Sequence, residues 1–338
     1  MKQYIQKVCS REDLTREEAR NAMHTIMNGE ASDAQIASLL VGLKLKGEHI
    51  DEIAGFVEAM REQSIRINID DPEAIDMCGT GGDSSGTFNV STTASFVVAG
   101  AGVTVAKHGN RSISSSCGSS DVLQALGVNI ELTPTKVQEC INAVGIGFLF
   151  APIFHPAMKH ASKSRAEMGI KTAFNILGPM TNPAGVRRQL VGAFNQETAA
   201  KMAAVFAMLG VTKVCVVHSS DGLDEVSLGA TTLVHETNGS PSQNSYYVTA
   251  KTFRLPEFPK STILGGKADV NAPISLAVLK GEKSPYRDTV LANAAFGLYV
   301  ADKVKTLEEG VALASEAIDS GKALEKLQKL KEFTQYAA

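Results

Sequence analysis

The sequence predicts an α/β protein with a small N-terminal α-helical domain and a large α/β domain, which has a mostly parallel central sheet and C-terminal helices. Two observations carry this prediction. Up to about residue 65 apolar residues recur at helical spacing, and from about residue 74 short apolar runs alternate with helical segments. Such alternation favours parallel strands, because a parallel pair needs a long crossover connection. We expect residues 1–69 to form the helical domain and 70–338 the α/β domain.

Local signals mark the predicted N-terminal helices. Thr15 and Glu18 form a capping box, in which the two residues exchange side-chain to backbone hydrogen bonds at a helix start. Ser32 opens a second helix, whose apolar residues follow at i, i+3, i+4 and i+7, and Asp51 starts a third. The polar stretch 66–72, which ends in proline, is the predicted boundary between the domains.

Beyond this boundary we expect strands and helices to alternate. The predicted strands are 74–78, 103–106, 128–131, 146–150, 189–192 and 213–217, and the predicted helices are 92–100, 119–126, 134–144, 155–178 and 196–209. A hairpin-like region follows at 236–260, and a capping box at Thr306 opens one of the C-terminal helices. In a sheet of this kind ligands gather beyond the carboxyl ends of the strands.

The loop after the first predicted strand, 79–91, is rich in glycine and opens a helix. Glycine lets backbone N–H groups approach an anion closely, and a helix start adds a positive dipole end. Two common phosphate motifs do not fit: Gly86 is not followed by lysine, and Ser84 stands where the dinucleotide motif needs a third glycine. An ordinary turn remains the alternative interpretation of the glycines alone.

Composition limits the classes of partner. The 338 residues carry a net charge of −3, which gives no electrostatic argument for nucleic acid or an anionic membrane. The five cysteines form no Cys-x-x-Cys pair, so neither a zinc site nor a disulfide framework is indicated. The N-terminus lacks the apolar run of a signal peptide, and no apolar stretch is long enough to span a bilayer. We therefore expect a cytoplasmic protein.

A set of motifs in order along the chain resembles the anthranilate phosphoribosyltransferase family of tryptophan biosynthesis. The motifs are Gly79-Thr80-Gly81-Gly82-Asp83, Asn89-Val90-Ser91-Thr92, Lys107-His108-Gly109-Asn110-Arg111, Cys117-Gly118-Ser119, Arg165-Ala166-Glu167-Met168-Gly169, Gly178-Pro179-Met180-Thr181-Asn182-Pro183, Asp221-Gly222-Leu223-Asp224-Glu225, Gly265-Gly266 and Asn293-Ala294-Ala295. The likeness covers nearly the whole chain. Ser112 and Ser120 stand where many members carry alanine.

The resemblance implies a nucleoside phosphorylase-like phosphoribosyltransferase fold, in which part of 165–185 joins the helical domain and the active site lies in the cleft between domains. It also implies a homodimer formed through the helical domains. The implied glycosyltransferase reaction joins anthranilate to 5-phosphoribosyl 1-pyrophosphate (PRPP), releases pyrophosphate and needs Mg²⁺. An association with anthranilate synthase is a further hypothesis, whereas no nucleic acid or membrane partner is expected.

The resemblance also implies roles for individual residues. Lys107 and His108 are expected to act in catalysis by positioning and electrostatics, without a firm general base. Gly79, Asn110 and Arg165 are expected to bind anthranilate, and Ser91, Asp224 and Glu225 to hold the metal. The residues expected to bind PRPP are Gly79, Gly82, Asp83, Thr87, Asn89, Val90, Ser91, Thr92, Lys107, His108, Gly109, Asn110, Arg111, Ser112, Ile113, Ser114, Ser115 and Ser119.

Each of these residues also has a structural interpretation. Ser91 or Thr92 is expected to cap the helix that follows, which is compatible with a phosphate contact. Lys107 alternatively marks the exit of a strand into solvent, and His108 is equally well a structural histidine. Arg165, expected just before a helix, is alternatively part of a solvated basic cluster. Its planar fork nevertheless matches a carboxylate well.

The adjacent pair Asp224-Glu225 also has two interpretations, since most such pairs are surface charge. Magnesium, however, prefers hard oxygen ligands and often takes only one or two protein carboxylates together with substrate phosphates.

Two other functions remain open at this point. A pyrimidine-nucleoside phosphorylase shares the architecture, but its lysine loop typically continues Lys-His-Ser-Thr, whereas this chain has Lys107-His108-Gly109-Asn110. A non-catalytic nucleic-acid-binding relative of the same fold would want a basic face, which the net charge of −3 does not favour.

Overall fold

The computed structural model describes residues 1–82, 85–111, 116–240 and 244–336. The capping box predicted at Thr15 and the helix start predicted at Ser32 are confirmed. The helix expected from Asp51 begins one residue earlier, because His49 provides its N-cap. The N-terminal helices are α1 (Lys2–Cys9), α2 (Arg16–Met27), α3 (Asp33–Lys46) and α4 (Ile50–Glu62).

In the described part of the chain, seven strands form one sheet in the order β3-β2-β1-β4-β5-β6-β7. The first five strands pair in parallel, and the last two form an antiparallel hairpin at one edge. The mostly parallel sheet is therefore confirmed. The strands are β1 (Ile75–Gly79), β2 (Val105–Gly109), β3 (Ile146–Phe150), β4 (Arg188–Gly192), β5 (Lys213–Ser219), β6 (Thr232–Thr237) and β7 (Asn244–Val248).

Helices follow the strands and continue to the C-terminal end, as predicted. The single helix expected over 155–178 is divided, because Gly169 ends α9 in a left-handed conformation. The helices are α5 (Val90–Gly100), α6 (Ser119–Ala125), α7 (Pro134–Val144), α8 (Ala151–Phe154), α9 (Lys159–Met168), α10 (Phe174–Leu177), α11 (Gln196–Met208), α12 (Ala268–Leu279), α13 (Pro285–Val300), α14 (Leu307–Asp319) and α15 (Lys322–Tyr336).

The two faces of the sheet pack against different layers, because successive side chains of a strand point in opposite directions. Ile75 and Met77 of β1 belong to the core formed with α5 and the C-terminal helices. Val191 and Val216 belong to the core formed with α1–α4. The side chain of Asp76 therefore lies on the face of the sheet opposite to Ile75 and Met77.

The core of the N-terminal helices also takes residues from far along the chain, including Phe174, Met180 and Val216. A hydrogen bond from Arg61 Nε of α4 to the Met180 carbonyl, at 2.8 Å, joins the same regions. The segment 161–180 thus packs with α1–α4 rather than with the C-terminal helices. The division into domains 1–69 and 70–338 stays a prediction.

The strand predicted at 128–131 does not form. The Asn129 N–H donates to Thr334 Oγ1 at 3.1 Å and the Glu131 N–H to Asn129 Oδ1 at 3.0 Å. No strand of the described sheet pairs with this segment, and side chains accept from these donors instead. The strand expected at 103–106 is β2, which extends to Gly109. In the described ranges, no helix has both the length and the apolar character needed to cross a membrane.

Candidate active site

The glycine-rich loop leaves β1 and bends around a carboxylate from a distant loop. Asp224 Oδ2 accepts a hydrogen bond from the Gly81 N–H at 3.0 Å. A Cβ on Gly79 would lie 2.9 Å from the same oxygen, and Gly81 and Gly82 have φ of 64° and 73°. A side chain at Gly79 would require the Asp224 carboxylate to move, and a side chain at the next two glycines is disfavoured by conformation.

Glu225 reaches the start of α5. Its Oε1 accepts a hydrogen bond from the Ser91 N–H at 3.1 Å, in the first turn of the helix. Neither Ser91 nor Thr92 caps this helix, so that expectation is wrong. The N-cap is Asn89, and its side chain makes no cap hydrogen bond. The adjacent carboxylates thus contact both parts of the predicted anion loop 79–91, its glycines and its helix start.

Lys107 lies inside β2, not at the exit of a strand, and its side chain is buried. Its ammonium donates a hydrogen bond to the Met77 carbonyl oxygen. Burial lowers the pKa of the lysine, and the nearby carboxylates of Asp76 and Glu225 oppose that shift. The solvated interpretation of Lys107 is therefore wrong, and the cation is held beside two acidic groups.

Asp76 is the counter-charge that the sequence argument missed. It is fully buried in β1, where its Oδ1 accepts from the His108 N–H at 3.2 Å and its Oδ2 from Asn182 Nδ2 at 2.8 Å. Asn182 also donates to the Ala106 carbonyl at 2.8 Å. Burial raises the pKa of the Asp76 carboxyl, whereas Lys107 lowers it. An acidic residue within an apolar strand was the available signal.

His108 faces a second histidine across the same side of the sheet. The His108 and His155 ring centroids are 5.1 Å apart, and both Nε2 atoms are buried without a hydrogen-bond partner among the described residues. Burial lowers the pKa of His108 to about 3 and that of His155 to about 4. Both rings are neutral at pH 7, which suits an orienting role better than a charged one.

The motif Lys107–Arg111 begins inside a strand, because Lys107, His108 and Gly109 lie in β2. Asn110 Oδ1 accepts from the Arg111 N–H at 2.7 Å, and its carbonyl accepts from Ser119 Oγ at 3.4 Å. The Arg111 side chain donates to Asp121 and Gln124, away from Asn110. These contacts fold the end of β2 against the start of α6. Asp83, Ser112, Ile113, Ser114 and Ser115 lie outside the described residues.

Arg165 lies in the last turn of α9, not before a helix. Burial lowers the pKa of its guanidinium, which stacks 5.1 Å from the ring centroid of Phe174. It is therefore not part of a solvated cluster. The structure gives no hydrogen bond between Arg165 and Gly79 or Asn110 within the described ranges, so these three residues are not joined directly.

Lys171, which the sequence argument also missed, follows α9 and crosses to the glycine-rich loop. Its ammonium donates to the Gly82 carbonyl at 2.5 Å and lies 4.2 Å from the ring centroid of Phe194. The segment that carries Arg165 therefore touches the loop that carries Gly79–Gly82.

The groups suited to a metal are carboxylates. Within the described part of the chain, no three His, Cys, Asp and Glu side chains converge on a point. Asp224 and Glu225 offer carboxylate oxygen atoms beside the loop 79–91, a donor type that fits Mg²⁺.

Comparisons with known proteins agree over the whole chain. The glycosyl transferase family, helical bundle domain, matches residues 2–64, and the glycosyl transferase family, a/b domain, matches residues 71–324. The anthranilate phosphoribosyltransferase of Symbiobacterium thermophilum is 48% identical over 334 residues, which are 99% of this chain and 98% of that protein. That of Moorella thermoacetica is 50% identical over 331 residues, covering 98% and 97%.

The chain belongs to the anthranilate phosphoribosyltransferase family.

Solved structures of the family show the same fold. The Thermus thermophilus anthranilate phosphoribosyltransferase has a TM-score of 0.92 at 42% identity, covering 98% of this chain and 99% of that one. The Saccharomyces cerevisiae enzyme in complex with PRPP and Mg has a TM-score of 0.90 at 28% identity, covering 99% and 97%. The predicted family and fold class are confirmed, and the nucleoside phosphorylase and nucleic-acid-binding alternatives are not favoured.

Proposed function

We propose that this chain transfers the phosphoribosyl group of PRPP to the amino group of anthranilate and releases pyrophosphate, the second step of tryptophan biosynthesis from chorismate. The observation that carries the proposal is the acidic pair. Asp224 bonds to the glycine-rich loop and Glu225 to the start of α5. The family supplies the acceptor, since the S. cerevisiae enzyme has been solved in complex with 4-fluoroanthranilate, at 27% identity to this chain.

Mg²⁺ is proposed as the cofactor, with Asp224 and Glu225 as its carboxylate ligands and Ser91 beside them. Their oxygen atoms are of the type that Mg²⁺ binds, and substrate phosphates commonly complete such a set. When bound, the ion neutralises charge on the leaving pyrophosphate. The Ser91 N–H already bonds to Glu225 at 3.1 Å, which holds that carboxylate at the helix start.

Around the phosphate groups, the chain offers backbone N–H groups, hydroxyl groups and one buried cation. The N-terminal turn of α5 and the glycine-rich loop present N–H groups and a positive dipole end. Lys107, held in β2, is proposed to stabilise charge that develops on pyrophosphate as the anomeric bond breaks, an effect larger in the transition state than in the ground state. The other residues predicted to bind PRPP from the sequence are proposed to surround it.

At the acceptor end, Arg165 is proposed to bind the carboxylate of anthranilate, with Asn110 and Gly79 near its amine. A partly desolvated guanidinium is a strong partner for a carboxylate, because both are planar and pair through two hydrogen bonds. The aromatic amine is neutral at pH 7 and needs no proton removed before attack. His108, whose pKa burial lowers to about 3, is proposed to orient it rather than to act as a strong base.

The test is an assay with purified protein, Mg²⁺, PRPP and anthranilate, followed by loss of anthranilate fluorescence. The proposal expects loss only when all three are present. No loss at high concentrations of folded protein and substrates would disprove the proposed reaction. Phosphorolysis of thymidine or uridine by the same preparation would instead support the nucleoside phosphorylase.

The metal ligands need a separate measurement. The double variant Asp224→Asn with Glu225→Gln is expected to need a sharply higher Mg²⁺ concentration for half-maximal rate. Its unfolding midpoint should change little, because substitutions in partly exposed loops rarely destabilise strongly. An unchanged Mg²⁺ dependence would remove both residues from the metal site.

A homodimer through the N-terminal helices is also proposed, as is a complex with anthranilate synthase. Sedimentation of the purified chain, alone and with anthranilate synthase, tests both; a single monomeric species at micromolar concentration would refute the dimer. The cytoplasmic location stays a prediction from the sequence.

A further inference from the structure

A buried asparagine on α12, Asn271, lies next to the loops that are proposed to bind phosphate. The Asn271 side chain is 1% exposed. Its Oδ1 accepts from the Gly266 N–H at 2.7 Å, and its Nδ2 donates to Asn89 Oδ1 at 2.9 Å. Because a buried amide without partners costs free energy, both contacts stabilise this arrangement.

The contacts continue in one direction. Asn89 Nδ2 donates to the Cys117 carbonyl at 3.2 Å, so a chain of hydrogen bonds runs from Gly266 through Asn271 and Asn89 to Cys117. At one end a backbone N–H can only donate, and at the other end a backbone carbonyl can only accept. Reversing either amide would set two donors or two acceptors against each other. The chain therefore determines the orientation of the Asn89 amide.

The same chain joins three loops. The Gly265 N–H donates to the Gly86 carbonyl at 2.8 Å, and Ser116 Oγ donates to the Gly266 carbonyl at 2.9 Å. A Cβ on Gly265 would lie 2.4 Å from Asn271 Oδ1 and 2.7 Å from the Phe88 backbone. The segments 86–89, 116–118 and 264–266 are thus packed around Asn271 without room for a side chain at Gly265.

We infer that Asn271 is a positioning residue for the phosphate-binding end of the site, acting through Asn89. This rests on the proposed function. Asn89 is the N-cap of α5 but does not cap it with its side chain, because Asn271 and Cys117 occupy both ends of that amide. Asn271 thereby sets where the helix start and the loop that leads to Ser119 lie relative to each other. Its loss should weaken PRPP binding and leave anthranilate binding intact.

The experiment compares Asn271→Asp, Asn89→Ala and the double variant, with KM for each substrate, kcat and the unfolding midpoint measured for each. Asn271→Asp keeps the acceptor for the Gly266 N–H but loses the donor to Asn89. We expect about a tenfold rise in KM for PRPP, with KM for anthranilate within about twofold. The double variant should have the same KM for PRPP as the single variants, because each substitution interrupts the same series of hydrogen bonds.

Asn142→Asp, at an exposed position, is the control for the change of charge alone. Asn142 on α7 accepts from the Asp70 N–H at 3.1 Å, so the same chemical change there should leave both KM values unaltered. An unchanged KM for PRPP in Asn271→Asp, an equal rise in both KM values, or multiplied effects in the double variant would overturn the inference. A wild-type chain that makes no product would instead overturn the proposed reaction.

Discussion

At the scale of single residues, the site depends on charges that are buried together. Lys107 in β2 is surrounded by the carboxylates of Asp76 and Glu225, although only Asp76 lies in the neighbouring strand. A buried cation keeps its charge only if opposite charges or hydrogen bonds offset its desolvation. The side-chain amine bonds to the Met77 carbonyl, and the charges of Asp76 and Glu225 oppose the lowering of the lysine pKa by burial.

Lys107→Met should therefore reduce kcat more than His108→Asn does. Removing a group that stabilises developing charge typically costs on the order of 100-fold, whereas losing an orienting side chain should cost about tenfold. Both rates are measured at saturating substrates, with circular dichroism as a check on folding. If the histidine variant lost nearly all activity and the lysine variant little, His108 would be an essential base instead.

Arg165→Ala should affect anthranilate far more than PRPP. Loss of a charge-assisted pair whose partner is buried costs on the order of 2–5 kcal/mol, which corresponds to at least a 30-fold rise in KM for anthranilate. Initial rates with each substrate varied in turn give the two KM values. Equal effects on both substrates would identify Arg165 as a structural residue.

His155 gives the fold a dependence on pH. Burial lowers its pKa to about 4 from an ordinary value near 6.5. Between these values the unfolded chain binds a proton that the folded chain does not, so the free energy of unfolding falls as the pH falls. At pH 5 this one group accounts for about 2 kcal/mol.

His155→Gln should remove that part of the dependence. Urea unfolding of both proteins at pH 7 and pH 5 measures it, and the loss of stability between the two pH values should be about 2 kcal/mol smaller in the variant. Equal losses would mean that the histidine is protonated in the folded protein at pH 5.

At the scale of elements, helices are held in place by a few specific contacts as well as by apolar packing. Arg287 of α13 is buried, and its guanidinium donates to both carboxylate oxygens of Asp319, the last residue of α14, at 2.8 and 2.9 Å. This pairing lowers the pKa of Asp319 to about 2. This ion pair, in which Arg287 is the buried partner, therefore joins α13 to α14 on one face of the sheet.

Asp319→Asn should lower the free energy of unfolding by about 2 kcal/mol, because the arginine stays buried with a weaker partner. Chemical unfolding at pH 7 measures the change. Glu316→Gln is the control, since Glu316 lies 3.9 Å from Lys322 with both side chains more than half exposed, and such pairs contribute little. Equal effects of the two substitutions would rule out a special role for the buried pair.

At the scale of the whole molecule, two cores meet at the sheet and the candidate site lies along their junction. The glycine-rich loop follows β1, a strand of the sheet between the two cores. Lys171 contacts this loop from the segment that packs with α1–α4. The hydrogen bond from Lys171 to Gly82 therefore joins the segment proposed to bind anthranilate to the loop proposed to bind phosphate.

Lys171→Met should raise KM for PRPP about threefold, although Lys171 lies on the segment that carries Arg165, because the Gly82 carbonyl loses a charged donor. Stability should change little, since the side chain is at the surface. Lys163→Met is the control: Lys163 pairs with Asp33 at 2.8 Å, away from the loop. If both variants keep the wild-type KM for PRPP, the contact between Lys171 and Gly82 has no role in PRPP binding.

Most of the fold could be predicted from the sequence, because its signals are local. The capping boxes at Thr15, Ser32 and Thr306 mark helix starts through residues three positions apart, and all three are present in the structure. The glycines after β1 likewise follow from local conformation, since Gly81 and Gly82 both adopt positive φ.

What the sequence could not determine depends on partners far along the chain. Residues 128–131 have a strand pattern but no neighbouring strand in the part of the chain that the structure describes, and the N–H groups of Asn129 and Glu131 bond to side chains. Lys107 is buried within β2, and the charges of Asp76 and Glu225 come near it from other segments. Asn271 meets Asn89 across a separation of 182 residues. The periodicity of apolar residues depends on near neighbours in the sequence. These contacts, in contrast, form only when the folded sheet brings the ends of its strands together.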